Sequence, residues 1–270
     1  MLYFLQDIDF FYPICYTENI KRGEPQMIDL INVSKAYRKN SNVVENINLR
    51  INDGEIFGFI GPNGAGKTTT IKMMTGILDI DEGNILIDNK SIKKNPVQAK
   101  KRFGFVPDDP NIFLKLTGIE YLNFIADIYE VNEKERLKKI EKITKEFEIY
   151  DALEDKIESY SHGMRQKIII SGVLLHNPQN WILDEPLTGL DPKASFKLKN
   201  MMREHVKNGK CVFFSTHVLE VAERLCDRIG IINKGKIIFV GTYEEMKKRF
   251  GEEASLEELF MEITKNDEEK

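Results

Sequence analysis

Residues 61–68 read Gly-Pro-Asn-Gly-Ala-Gly-Lys-Thr, the spacing G-x-x-x-x-G-K-[ST]. Small residues let successive backbone N–H groups curl round a phosphate, and a helix N-terminus behind them adds partial positive charge. Gly61, Pro62, Asn63, Gly64, Ala65, Gly66, Lys67, Thr68 and Thr69 therefore form a candidate phosphate cradle. Lys67 would supply a full charge and the Thr68 hydroxyl would ligate Mg²⁺. A second acidic site follows in "WILDEP", where Asp184 and Glu185 close an apolar run. Alone, such a pair is usually a turn. With a phosphate loop upstream, Asp184 suits Mg²⁺ coordination through water, and Glu185 is placed to polarise an attacking water. In "SYSHGMRQKIII", Ser161 and Gly163 precede an expected helix, where a hydroxyl and bare backbone N–H groups can meet an anion or simply cap the helix.

The elements that must position these groups are legible from periodicity. "MIDLINV" and "VVENINLRI" read as strands, the second with Ile47, Leu49 and Ile51 on one face and Asn46, Asn48 and Arg50 on the other. "EIFGFI" reads as a buried strand feeding the glycine loop, whose helix should end near Gly76. Asp81 to Gly83 reads as a turn between that helix and the strand "NILID", and "FGFVP" is a further short strand. From Thr117 to about Leu175 the pattern turns helical. Thr117 and Glu120 suggest a capping box, and Leu137, Ile140, Ile143 and Phe147 suggest the apolar side of a charged helix. Strands are then expected at "WILDEP", "CVFFST", "RIGIIN" and "KIIFVG", with a helix from His217 to about Cys226. Thr242 with Glu245 and Ser255 with Glu258 predict two short helices at the end.

In order and approximate spacing, "GPNGAGKTTT", "YSHGMRQK", "WILDEP", "TGLD" and "STH" resemble the motifs of the ATP-binding cassette (ABC) ATPases, the nucleotide-binding subunits of ABC transporters. The resemblance covers Met27 to about Gly241 and implies an α/β fold. This would be a P-loop NTPase (RecA-like) core with an N-terminal antiparallel β subdomain and an inserted α-helical subdomain at about 108–175. It also implies ATP and Mg²⁺ as cofactors and a head-to-tail dimer. In that dimer Ser161 and Gly163 would contact the γ-phosphate held by the opposite subunit. Tyr37 resembles the aromatic that stacks on adenine, with ordinary packing as the alternative. His217 resembles the switch histidine that contacts the γ-phosphate and attacking water; without the family it is a histidine at a helix start. Asp191 resembles the aspartate that links the two sites, though Asp191-Pro192 is also a good helix cap. Catalytic roles therefore fall on Glu185, His217 and Lys67, and metal ligation on Thr68, Asp108 and Asp184.

The chain departs from the family at two places. Tyr160, His162 and Met164 stand where Leu, the first Gly and Gln of Leu-Ser-Gly-Gly-Gln usually are, and Asp108 stands where the family has a glutamine after a strand. The carboxylate of Asp108 can still coordinate Mg²⁺ as a shorter, more strongly charged arm. The segment 111–116 resembles the groove that receives a coupling helix of the membrane subunit. "SLEELFMEIT" resembles the tail of exporter ATPases whose permease is a separate chain (ABC-2 type), with a terminal amphipathic helix as the alternative.

Composition bounds the partners. The 270 residues carry 39 Lys+Arg against 43 Asp+Glu, a formal net charge of −4, which offers no basic field for nucleic acid. Cys15, Cys211 and Cys226 are too few and too scattered for a disulfide framework or zinc site and fit a reducing cytosol. Codons for Lys21-Arg22-Gly23-Glu24 can spell a ribosome-binding sequence ahead of Met27. Residues 1–26 are thus expected to be an over-called start, the rival being a genuine extension, while 27–241 form the ATPase domain and 242–270 a helical extension. The expected function is an ATP-hydrolysing subunit at the cytoplasmic face of the membrane, paired with a second ABC subunit and a multi-spanning permease, and driving export. A soluble ABC-type ATPase acting as an assembly scaffold is the alternative, and a P-loop small-molecule kinase is disfavoured by Ser161, Asp191 and His217.

Overall fold

Alternate residues of two neighbouring strands settle where the core sits. In β3 (Ile56–Ile60) and β8 (Cys211–Thr216) every residue is buried, as befits parallel strands covered on both faces. Phe57, Phe59 and Phe213 point into one apolar layer, with the Phe57 and Phe213 rings stacked at 5.9 Å, whereas Ile56, Val212 and Phe214 point into the opposite one. This period of two follows from the strand pleat. The structure, a computed structural model, describes residues 26–38, 41–250, 255–258 and 260–261; the expectations for residues 1–25 lie outside it.

The first layer is closed by an antiparallel sheet ordered β2-β1-β4-β5, made of β1 (Gln26–Arg38), β2 (Ser41–Asn52), β4 (Glu82–Ile87) and β5 (Lys90–Ser91). Ile47, Leu49 and Ile51 of β2 are buried as their alternation requires. Asp81 to Gly83, expected as a turn, instead runs directly into β4. Gly83 takes a φ of +85°, and a Cβ there would lie 2.3 Å from the carbonyls of Ile31 and Asn32, where the β1–β4 register shifts. Only glycine fits such a bulge.

The central sheet is ordered β10-β9-β3-β8-β7-β6, with β6 (Phe103–Val106), β7 (Asn180–Leu183) and β9 (Arg228–Asn233) parallel to β3 and β8, and β10 (Lys236–Gly241) antiparallel to β9. Helix α1 (Lys67–Met74) follows β3, and the five-residue α2 (Pro96–Lys100) precedes β6. Between β6 and β7 lies the helical lobe: α3 (Gly118–Ile128), α4 (Glu133–Glu146) and α5 (His162–His176). Helix α4 seats Ile140, Thr144 and Phe147, whereas Leu137, expected on the same apolar side, is 68% exposed one turn earlier. Helix α6 (Pro192–Lys207) joins β7 to β8, and α7 (Leu219–Leu225) joins β8 to β9. The helix expected from His217 thus starts two residues later, because Thr216 Oγ1 accepts from the Val218 N–H and holds 217–218 in a turn. After β10 come α8 (Tyr243–Phe250) and helical residues at 256–258, both opened by the capping boxes expected at Thr242 and Ser255. Leu256 is buried against Met246 and Phe239.

Candidate functional site

In the order β3, β8, β7, β6, four adjacent strands end on the same side of the sheet, the side where open α/β sheets hold ligands. Their carboxyl ends carry the glycine loop, Ser215 to His217, Asp184 with Glu185, and Asp108 respectively. A cavity of about 210 Å³ opens there, lined by Val43, Asn63, Gly64, Gly66, Lys67, Thr68, Thr69, Asp108 and Glu185. The sequence thus brought the cradle and two of its acidic candidates to one place.

The loop is bent by its glycines. Gly64 and Gly66 have φ of +80° and +111°, and Gly66 is the N-cap of α1 with no side chain over the helix end, which leaves the first N–H groups of the helix for an anion. Lys67 is 7% exposed, and its Nζ donates to the carbonyls of Gly61 at 2.7 Å and Pro62 at 3.2 Å. An ammonium has three N–H bonds, so one remains. Burial lowers its pKa, an effect opposed by the carboxylates of Glu185, Asp184 and Asp108, all near enough to act on it.

Asp184 is 2% exposed; its Oδ1 accepts from Ser215 Oγ at 2.6 Å, and the Thr68 hydroxyl also hydrogen-bonds to it. Burial raises its pKa, and the nearby Asp108 and Glu185 carboxylates add to the rise against those two hydrogen bonds. Ser215 also accepts from the Glu185 N–H at 3.0 Å, holding Glu185 at a φ of +48°, a conformation rare for a non-glycine residue and common at functional sites. Sequence reasoning missed Ser215 and Val43; the signal for the first was a polar residue directly after the apolar run Cys211 to Phe214 in a buried strand. Opposite, Glu185 Oε2 lies 3.0 Å from His217 Nδ1. Thr68, Asp184 and Asp108 suit Mg²⁺, which takes one or two carboxylates and fills its octahedron with phosphate oxygens and water. Among the described residues no group of three or more His, Cys, Asp or Glu could hold a metal alone.

Ser161, Gly163, Asp191 and Tyr37 do not line this cavity. Ser161 N-caps α5, its Oγ accepting from the Met164 N–H at 3.3 Å, and it is exposed. Tyr160 anchors the turn: it is 3% exposed and its hydroxyl donates to the Ala152 carbonyl at 2.5 Å, with burial pushing its pKa up to about 12. A Cβ on Gly163 would lie 2.7 Å from the Gly189 carbonyl, so the start of α5 and the loop before α6 meet backbone to backbone. Asp191 caps α6 through the Ala194 N–H at 2.8 Å and pairs with Lys167 of α5 at 2.6 Å; these partners hold its pKa down to about 2. Tyr37 is 58% exposed, with its ring free of the core.

Comparison with known proteins gives the family and the fold. The sequence profile described as ABC transporter matches residues 44–188. The linearmycin resistance ATP-binding protein LnrL of Bacillus subtilis (strain 168) is 36% identical over 225 residues, 83% of this chain and 72% of that protein. A solved structure of the ATP-binding subunit of an ABC transporter superposes with a TM-score of 0.84 at 33% identity, covering 88% of this chain and 99% of that one. A second, the dimeric structure of a post-hydrolysis state of an ATP-binding cassette bound to ADP and Pi, gives 0.72 at 26% identity over 80% of this chain and 98% of that one. The shared fold is the P-loop NTPase core with its antiparallel β subdomain.

Proposed function

From the premise that this chain belongs to the ABC transporter family, as an ATP-binding and ATP-hydrolysing subunit using Mg²⁺, we propose that two ABC subunits close head to tail around two ATP molecules and drive a separate membrane permease in export. The observation that carries the dimer is a division of labour. Lys67, Thr68, Asp108 and Glu185 border one cavity, while the exposed Ser161 and the half-buried Gly163 form a helix start outside it. Such a start is an anion site lacking its anion's other half, and the related cassette caught after hydrolysis is a dimer. Among the described residues no helix is long and apolar enough to cross a membrane; the permease and the placement at the cytoplasmic face follow from the transporter family. Export is favoured by the exporter-like tail and by the resistance named for LnrL.

In this reading the loop amides and Lys67 hold the β- and γ-phosphates, and Thr68 with Asp184 and Asp108 hold Mg²⁺. When bound, the metal stabilises charge on the phosphoryl oxygens. Glu185, fixed by Ser215 and His217, orients the attacking water; Tyr37 offers its open face to adenine, a base-tolerant contact. Asp191 ties the Ser161 helix to the core, so closure at one site is felt at the other.

Glu185→Gln should bind ATP, slow hydrolysis by about 100-fold or more, and elute as an ATP-dependent dimer in size-exclusion chromatography with light scattering. Adding Ser161→Arg should return it to monomer while ATP affinity, measured calorimetrically, stays within about twofold. A monomer under every condition, with or without native membranes, would remove the head-to-tail site.

A further inference from the structure

The turn between β9 and β10 reaches back to the phosphate cradle. The Gly235 N–H donates to the Ala65 carbonyl at 2.9 Å, and the Gly235 carbonyl accepts from the Glu45 N–H at 2.9 Å. One residue thus bridges the glycine loop and β2. At the end of β9, Ile232 presses on both ends of the loop: a Cβ on Gly61 would lie 2.3 Å from the Ile232 carbonyl, and one on Gly66 would lie 3.2 Å from Ile232 Cδ1 and 2.9 Å from the Val43 carbonyl. Gly235 itself sits at a φ of +80°, and a Cβ there would lie 2.5 Å from the same Val43 carbonyl. Ala65 is buried, so its carbonyl would have no ready substitute partner. Val43, which borders the cavity, has its carbonyl closely packed between Gly66 and Gly235.

We propose that the β9–β10 turn is a positioning buttress of the nucleotide site, with Gly235 and Ile232 as positioning residues that fix the curvature of loop 61–66. The inference rests on the reading of that loop as the ATP site. The loop's donors must converge on one phosphate, and a misplacement of about 1 Å is enough to cost a large part of such an interaction. No residue of the turn touches the nucleotide in this scheme. Its contribution is to stiffen the loop from behind, adding to the bonds the loop makes within itself through Lys67 Nζ and the Ala65 N–H.

The test compares ADP and ATP affinity, by calorimetry with Mg²⁺, with the melting temperature of the nucleotide-free chain. Gly235→Ala should weaken both nucleotides by about tenfold and shift the amide NMR resonances of residues 61–68. Ile232→Ala keeps the backbone bonds and remains informative if Gly235→Ala does not fold; it should weaken binding by about threefold with the same resonances displaced. Ile238→Ala, which thins the packing of β10 on the apolar cluster that holds Phe239, Met246 and Leu256, should lower the melting temperature yet leave affinity within twofold. Affinity that simply tracks melting temperature across the three variants, or unmoved loop resonances in Ile232→Ala, would overturn the buttress. Lys67→Ala separates the two ideas: if it binds as tightly as the parent, the ATP-site reading itself has failed. If it alone loses binding, only the buttress has.

Discussion

Asp108 stands where the family resemblance calls for a glutamine, and the structure brings it to the cavity with Lys67 and Glu185. As a metal ligand, which the proposed function makes it, a carboxylate in that place should hold Mg²⁺ more strongly than an amide, and its negative charge helps to raise the Asp184 pKa. Asp108→Ala should therefore raise the Mg²⁺ concentration for half-maximal ATPase activity by about tenfold, with little change in the ATP requirement at saturating Mg²⁺; a titration of the metal at fixed ATP measures it. Most of this residue-scale chemistry was readable because it depends on a contiguous motif. The glycine loop, Asp184 and Glu185 announce themselves through spacing. Ser215 does not, because its value lies in a hydroxyl that meets Asp184 and the Glu185 N–H across a sheet, 30 residues away in the chain for the latter. Val43 is likewise ordinary in sequence and reaches the cavity only because β2 runs beside the loop.

At the scale of elements, local rules performed well where both halves of a signal lie within one turn. The Thr117 N–H donates to Glu120 at 2.8 Å, and the Glu120 N–H returns a bond to Thr117 Oγ1 at 3.2 Å, fixing the start of α3. Thr117→Ala should cost about 1 kcal/mol, a drop of about 2–4 °C in melting temperature for a domain of this size, while nucleotide affinity stays unchanged; calorimetry of free and ADP-bound chains reads both. Short elements were hidden by the same logic. Helix α2, five residues behind Asn95-Pro96, is too brief for a periodic pattern, and β5 is two residues that exist only as partners of β4. The onset of α7 moved because Thr216 spends its hydroxyl on the next turn. Leu137 matched its helix's apolar spacing yet lies outside the seam with α5, since spacing identifies a face without saying how far along it the neighbour extends.

Across the whole molecule, two histidines tie layers together in their neutral form. His176, the last residue of α5, stacks on Tyr129 at the end of α3 with ring centres 3.7 Å apart; His205 of α6 stacks on Trp181 of β7 at 4.1 Å. Burial first, and the ammonium of Lys210 second, lower both pKa values from 6.5 to about 4. The unfolded chain therefore binds more protons between those limits, and stability contributed by the pair is complete above about pH 6.5 and lost as pH falls towards 4. Urea unfolding should show a decline of more than about 1 kcal/mol per histidine over that range, since one pKa unit corresponds to about 1.4 kcal/mol. His205→Gln should flatten part of the profile. The acidity of the chain has another effect at the cradle, where three carboxylates surround one ammonium in a protein of net charge −4. Metal-free ATP, itself polyanionic, meets repulsion at that doorway, whereas the magnesium chelate arrives with part of its charge already masked. Under the proposed function, free magnesium in the surrounding solution would act as a second ligand concentration, and chelating it should lower occupancy of the cradle even when the nucleotide is abundant.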